Sequence, residues 1–186
     1  MMGEGTYHLV TLGCPKNQVD SDKLAGTLAA DGMDPTASPD QADLIVVNTC
    51  AFIADARQES IDTVLALSDL RRDGARLVVT GCMAERYGDE LAAALPEVDR
   101  VAGFGVPVVL GRRFNGPHGP LTGEPESDEA ALPSFDLLNL PRPASDRPWA
   151  YVKIAEGCDR ACGFCAIPTF RGPQRSRPVQ SILNEV

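Results

Sequence analysis

Three short runs of apolar, β-branched residues recur in the first hundred positions: Tyr7 to Leu12, Leu44 to Asn48 and Leu77 to Thr80. Each has the length and composition of a buried strand. Helical periodicity follows each run. Residues Asp20 to Ala30 carry Leu24 and Leu28 four apart, Ala54 to Arg72 carry Ile61, Val64, Leu65 and Leu67, and Glu85 to Leu95 complete the third unit. Strand and helix alternate, so the pattern predicts an α/β fold, a parallel sheet flanked by helices. A fourth, weaker strand is expected at Arg100 to Ala102 or at Val106 to Leu110.

Beyond this region the texture changes. From Arg112 to Arg147 the chain is rich in Gly, Pro, Ser and acidic residues, with one short apolar stretch from Phe135 to Leu140. It reads as a partly disordered linker over 112–147, separating a first domain at 1–111 from the start of a second at 148–186. Ala150 to Ala155 reads as a strand ending at Gly157-Cys158, and Gln180 to Val186 as the first turns of a helix. With 186 residues there is room for one domain and part of another, so a piece of a longer protein is expected.

Composition narrows the class. The chain is 44% hydrophobic and 23% charged, ordinary for a globular protein. No run approaches the ~18 apolar residues of a membrane span. Met1 to Gly13 lacks the pattern of an export signal, so a cytoplasmic location, without a membrane partner, is the expectation. There the six cysteines are better read as metal ligands or catalysts than as disulfides. The net charge of -9 is uneven: residues 1–142 hold 11 basic and 22 acidic side chains, a net of -11, whereas 143–186 hold 6 and 4, a net of +2. This argues against a general nucleic-acid coat.

Each strand run of the first domain ends on a cysteine, in Leu12-Gly13-Cys14, Asn48-Thr49-Cys50 and Thr80-Gly81-Cys82. Segments leaving the carboxyl ends of neighbouring parallel strands emerge along one edge, where open α/β sheets bind ligands. Cys14, Cys50 and Cys82 are therefore expected to meet. Gly13 and Gly81 would permit a tight turn or a close approach to a bulky ligand. Each cysteine alone suits a buried structural position equally well. Together they point to a shared metal or cluster site. Zinc remains open, but His8 and His118 lie at unrelated positions, and three thiolates with one open coordination position suit a 4Fe-4S cluster.

The stretch Gly157-Cys158-Asp159-Arg160-Ala161-Cys162-Gly163-Phe164-Cys165 has the spacing Cys-x3-Cys-x2-Cys. One tight loop can hold three corners of a cubane and leave the fourth iron free for a chelating ligand. The loop resembles the cluster motif of the radical S-adenosylmethionine superfamily, including the aromatic Phe164 before the third cysteine. The resemblance implies that the open iron binds S-adenosylmethionine, which is split to give a 5'-deoxyadenosyl radical, and that Phe164 lines the adenine site. Phe164 also reads as a core residue packing the loop.

In this order the two halves resemble the methylthiotransferase family, nearly over the whole chain. The resemblance implies that Cys14, Cys50 and Cys82 hold an auxiliary 4Fe-4S cluster, and that Cys158, Cys162 and Cys165 hold the radical-generating one at the start of a partial TIM barrel. No side chain is assigned a catalytic role beyond the cluster ligands. Gly13-Cys14-Pro15-Lys16-Asn17 and the run Arg171 to Arg177 are similar to the branch that modifies an aspartate of a small-subunit ribosomal protein; tRNA adenosine is the alternative substrate. An electron donor and a sulfur source are the further partners implied. Arg171, Arg175 and Arg177 read either as contacts to an acidic substrate loop or RNA phosphates, or as a basic loop that is solvated or internal to the fold. The family's remaining barrel strands, its glycine-rich cofactor segment and its carboxyl-terminal domain are not in this sequence, so the piece alone is expected to be inactive. Two other readings compete: an iron-sulfur carrier and a structural zinc module.

Overall fold

The computed structural model describes residues 5–104, Leu138, Leu140, residues 142–143 and residues 148–186. Its first part alternates strand and helix as the pattern predicts: β1 (Gly5–Thr11), α1 (Pro15–Ala30), β2 (Met33–Pro35), β3 (Leu44–Thr49), α2 (Ala54–Leu70), β4 (Arg76–Gly81), α3 (Cys82–Ala94) and β5 (Arg100–Ala102). The five strands form one sheet in the order β2-β1-β3-β4-β5, every pair parallel. The chain moves outward from β1 to β2, then returns to β3 on the other side of β1. That reversal places a topological switch point between β1 and β3.

The central strands are apolar on both faces because helices cover both faces. Along β3, Leu44 and Val46 point to one side with Tyr7, Val78, Leu24 and Leu28. Ile45 and Val47 point to the other with Leu77, Val79, Val64, Leu67 and Leu91. The period of two thus divides β3 between a core shared with α1 and a core shared with α2 and α3. All six residues of β3 are buried.

Boundaries differ from the sequence pattern in instructive places. α1 begins at Pro15 rather than Asp20, since proline at the first helical position costs no hydrogen bond. α3 begins at Cys82, and Gly88 (φ 37°, ψ -111°) kinks it. β2 has only three residues, one of them proline, too short to show a period. Of the two places for a fourth strand, Arg100–Ala102 is β5; Val106 to Leu110 lies outside the described residues. The 112–147 linker also lies outside them, apart from Leu138, Leu140 and residues 142–143.

The last part contains β6 (Ala155–Glu156), α4 (Ile167–Arg171), β7 (Arg175–Ser176) and α5 (Val179–Leu183), with β6 and β7 antiparallel. The expected strand from Ala150 to Ala155 is thus a strand only at its end, because β7 supplies just two partner residues. No described helix is long and apolar enough to cross a membrane.

Candidate metal centre

Cys14, Cys50 and Cys82 follow β1, β3 and β4, three neighbours in the sheet. Thr11, Asn48 and Thr80 lie in register across these strands, so the chain turns out of the sheet at one level in all three. The three cysteines line one cavity of about 360 Å³, together with Lys16, Phe52, Ile167, Phe170 and Arg171. Cys14 is exposed while Cys50 and Cys82 are buried, and none of the six cysteines forms a disulfide.

The glycines before two of these cysteines serve the turn and the close approach, but to the protein's own chain. Gly13 has φ +92°, and a β-carbon there would stand 2.7 Å from Cys50 Cβ and 2.9 Å from its Sγ. Gly81 has φ +91°, and its β-carbon would meet Asn48 Oδ1 at 2.2 Å and Thr49 O at 2.6 Å. Both dihedrals belong to the region that side chains rarely adopt. The loops can converge only because these two positions lack side chains.

Asn17 and Ser60 fix the loops. The Asn17 amide donates to Leu12 O at 2.8 Å and Thr49 O at 3.1 Å, tying the first loop to the second. Ser60, buried on α2, accepts from Cys50 N at 3.1 Å. Sequence reasoning passed over both. Asn17 lay within the quoted Gly13–Asn17 segment, whereas Ser60 carried no signal beyond being a polar residue on a helix that packs against the sheet.

The wall opposite the cysteines comes from the end of the chain. α4 lies directly after the second cysteine loop and contributes Ile167, Phe170 and Arg171 to the cavity. Arg171 Nη2 donates to Cys82 Sγ at 3.1 Å and Asn17 Oδ1 at 2.7 Å. Its Nη1 donates to Asp20 Oδ2 at 2.9 Å and Glu156 Oε2 at 3.0 Å. Lys153 pairs with Asp20 and, at 2.5 Å, with Glu156. Burial works to raise the Glu156 carboxyl, but Arg171, Lys153 and Lys16 outweigh it and hold it at about 2. Burial also works against the Arg171 cation, yet Asp20, Cys82 and Glu156 hold its pKa above the ordinary arginine value. The Cys82 thiol is pushed up by burial, with Arg171 opposing.

Two of the three arginines in the run 171–177 are therefore internal to the fold. Arg171 is bound as described, and Arg177 donates to Lys153 O at 2.9 Å and pairs with Glu185. The basic-loop reading internal to the fold holds for both.

Cys158, Cys162 and Cys165 sit on the loop between β6 and α4. Cys158 N donates to Gly172 O at 3.0 Å and Cys165 N to Cys162 O at 3.1 Å, which closes the loop at its base and its end. Cys162 is exposed and the other two are partly exposed. Phe164 is 92% exposed, so it does not pack the loop as a core residue.

Among the described residues no three Cys, His, Asp or Glu side chains are arranged around a single metal ion. The first three cysteines instead surround a shared space. That arrangement fits a group larger than one ion, with the cations Lys16 and Arg171 beside the thiols to offset an anionic cluster. The second three, in one loop with Cys162 open to solvent, fit a cluster with an accessible corner.

The five-stranded parallel sheet and the three cysteines at its strand ends occupy the part of the chain in which the family match falls. Residues 6–103 match the Uncharacterized protein family UPF0004, and the chain belongs to that family. Among its relatives is the ribosomal protein uS12 methylthiotransferase RimO of Myxococcus xanthus, 45% identical over 186 residues that cover 97% of this chain and 37% of the relative. Proteins of the same name from an Anaeromyxobacter species and from Kineococcus radiotolerans are 44% and 42% identical, over 99% and 95% of this chain and 39% and 42% of their own lengths. The chain thus spans about two fifths of these relatives, whose amino-terminal part it matches.

Proposed function

We propose that this chain is the front part of a radical S-adenosylmethionine methylthiotransferase that adds a methylthio group to an aspartate of a small-subunit ribosomal protein. The observation that carries the reading is the shared cavity: Cys14, Cys50 and Cys82 line it from three adjacent strands, and the helix after the second cysteine loop closes it. Two cysteine triads in one chain, with the helix after the second closing the cavity of the first, suit an enzyme that must pass a sulfur group to an activated carbon. A lone carrier has no need of the second.

In this reading Cys14, Cys50 and Cys82 hold the auxiliary 4Fe-4S cluster, and Cys158, Cys162 and Cys165 hold the other. When bound, the clusters and S-adenosylmethionine supply the electron-transfer, radical and methyl-transfer chemistry. The chain's own residues bind, orient and shield. Phe170 and Ile167 exclude water from one wall of the cavity. Lys16 and Arg171 supply positive charge against the thiolates. Phe164, exposed beside Cys165, is free to lie against an adenine ring. The -11 charge of residues 1–142 disfavours a tRNA backbone as the substrate in this part of the molecule.

The test is anaerobic reconstitution of the whole protein with iron and sulfide. About eight irons per chain are expected, falling to about four when either cysteine triad is changed to alanine. Unchanged iron in the Cys14, Cys50, Cys82 variant rejects the site. Incubation with S-adenosylmethionine, a reductant, a sulfur donor, and the ribosomal protein or bulk tRNA then identifies the substrate by mass. A methylthio gain on tRNA alone replaces the ribosomal protein with tRNA adenosine.

A further inference from the structure

Arg171 occupies the last position of α4, six residues beyond Cys165, yet its guanidinium ends in the first site. Its side chain is 4% exposed. Both terminal nitrogens are used: Nη1 faces Asp20 and Glu156, and Nη2 faces Asn17 and Cys82. The guanidinium plane also lies 4.3 Å from the centroid of the Phe104 ring. A planar fork held by four acceptors and one aromatic face has a single orientation, and that orientation aims an N–H at Cys82 Sγ.

The surrounding ion pairs hold the guanidinium in this place. Asp20 and Glu156 supply two negative charges, and Lys153, Arg171 and the partly exposed Lys16 supply three positive ones. The buried members balance, and the third cation, Lys16, is 44% exposed at the rim of the cysteine cavity. Hydrogen bonds and net charge at cluster sulfurs also set how readily a cluster accepts an electron.

Resting on the function proposed above, we propose that Arg171 is a positioning residue of the auxiliary cluster site: its Nη2 bond to Cys82 Sγ orients that ligand and raises the reduction potential of the cluster. The arginine belongs to the segment that carries the other cysteine triad. The properties of the first site therefore depend on how that segment docks onto α1, through Asp20 and Asn17.

The test uses the full-length protein with Cys158, Cys162 and Cys165 all changed to alanine, so that only the first site loads. Its potential is read by titration with dithionite and mediator dyes, following visible absorbance and electron paramagnetic resonance. At the midpoint of the parent, Arg171→Gln is expected to lower the ratio of reduced to oxidised cluster at least tenfold, about 59 mV for a one-electron couple. Arg171→Lys, which keeps the charge but loses the fork, is expected to lower it less. Both should retain about four irons. Equal midpoints in the parent and both variants, at full iron content, overturn the proposal. If both variants lose iron, Arg171→Gly should recover it in added guanidinium, and no recovery also overturns the proposal. A parent that forms no cluster at Cys14, Cys50 and Cys82 counts against the proposed function instead.

Discussion

Lys16 Nζ stands 3.2 Å from Glu156 Oε1 and joins residues 140 positions apart in the chain. The two flank different cysteine segments: Lys16 follows Cys14, and Glu156 precedes Cys158. Around them Asp20, Lys153 and Arg171 complete a buried set of ion pairs, and all of the second-segment members meet α1 or its entrance. Docking of residues 148–186 onto the sheet domain thus joins these ion pairs to the apolar packing of Phe170 and Ile167 against the core shared with α2 and α3. A buried pair adds little over an apolar contact, but removing one member leaves its partner charged and alone.

Asp20→Asn is accordingly expected to loosen the second segment by about 3–5 kcal/mol, the range for breaking a buried pair. Trp149, the single tryptophan, lies at the start of that segment and reports its docking by fluorescence during urea unfolding. An unchanged midpoint in the variant shows that the network does not hold the segment.

Gly13→Ala and Gly81→Ala should each destabilise the chain by about 1–3 kcal/mol, from the disfavoured backbone and the overlap with Cys50 or Thr49. Gly13→Ala should also reduce iron loading, because Cys50 has to move. Gly163→Ala is the control, since nothing lies within 4 Å of the added carbon. Thermal unfolding and iron content measured together decide the matter, and parent-like values for Gly81→Ala count against the turn argument.

The central sheet was legible because β3 and β4 each carry an unbroken apolar run, Leu44 to Val47 and Leu77 to Val79, and the three cysteines were legible because each repeats the same strand-end position. α1 was half hidden. Its buried face includes Asn17, Asp20, Ser21 and Lys23 beside Val19, Leu24 and Leu28, so the apolar spacing is broken in the first turns and the helix reads as starting five residues late. The ion-pair network was not legible at all. Asp20 meets Lys153 133 residues later and Arg171 151 residues later, and no local pattern marks such partners. The arginines of the run 171–177 show the same limit, since sequence supplies their charge but not the carboxylates that take two of them inside.

Asp43 links the starts of three strands. Its carboxylate accepts from Thr6 N at 2.8 Å and Thr6 Oγ1 at 3.1 Å and pairs with Arg72, while its carbonyl accepts from Arg76 N. The backbone bond from Thr6 chiefly holds its pKa below the usual carboxylate value, against the opposing effect of burial. A carboxyl depressed in the folded state stabilises above its unfolded pKa and loses that contribution as pH falls through the folded value. Acid unfolding below about pH 4 should therefore be less steep in Asp43→Asn than in the parent. At pH 7 the variant should lose about 1–2 kcal/mol through the weakened bonds. Equal acid slopes in urea titrations at successive pH values reject the assignment.

Lys23 offers the opposite dependence. Its side chain is fully buried on α1, with Nζ donating to Leu138 O at 2.7 Å and paired with Glu185 Oε2 at 3.7 Å. Glu185 already serves Arg177 and Arg142, so three cations share one carboxylate. Burial is the main cause that lowers the lysine pKa, with Arg177 and Lys153 adding to it and Glu185 and Asp20 opposing. Between the lowered folded value and the unfolded one the unfolded chain binds more protons, so this group makes stability rise with pH in the alkaline range. Lys23→Met should abolish that part of the rise. At neutral pH it should change stability by no more than about 1 kcal/mol, because an apolar side chain of similar volume replaces a crowded buried charge. Glu185→Gln should behave differently and cost about 3–5 kcal/mol, since it strands the cations. Urea unfolding of the three proteins from pH 7 to 10 tests both statements. A Lys23→Met variant that tracks the parent at every pH shows that the buried lysine is not the source of the alkaline dependence.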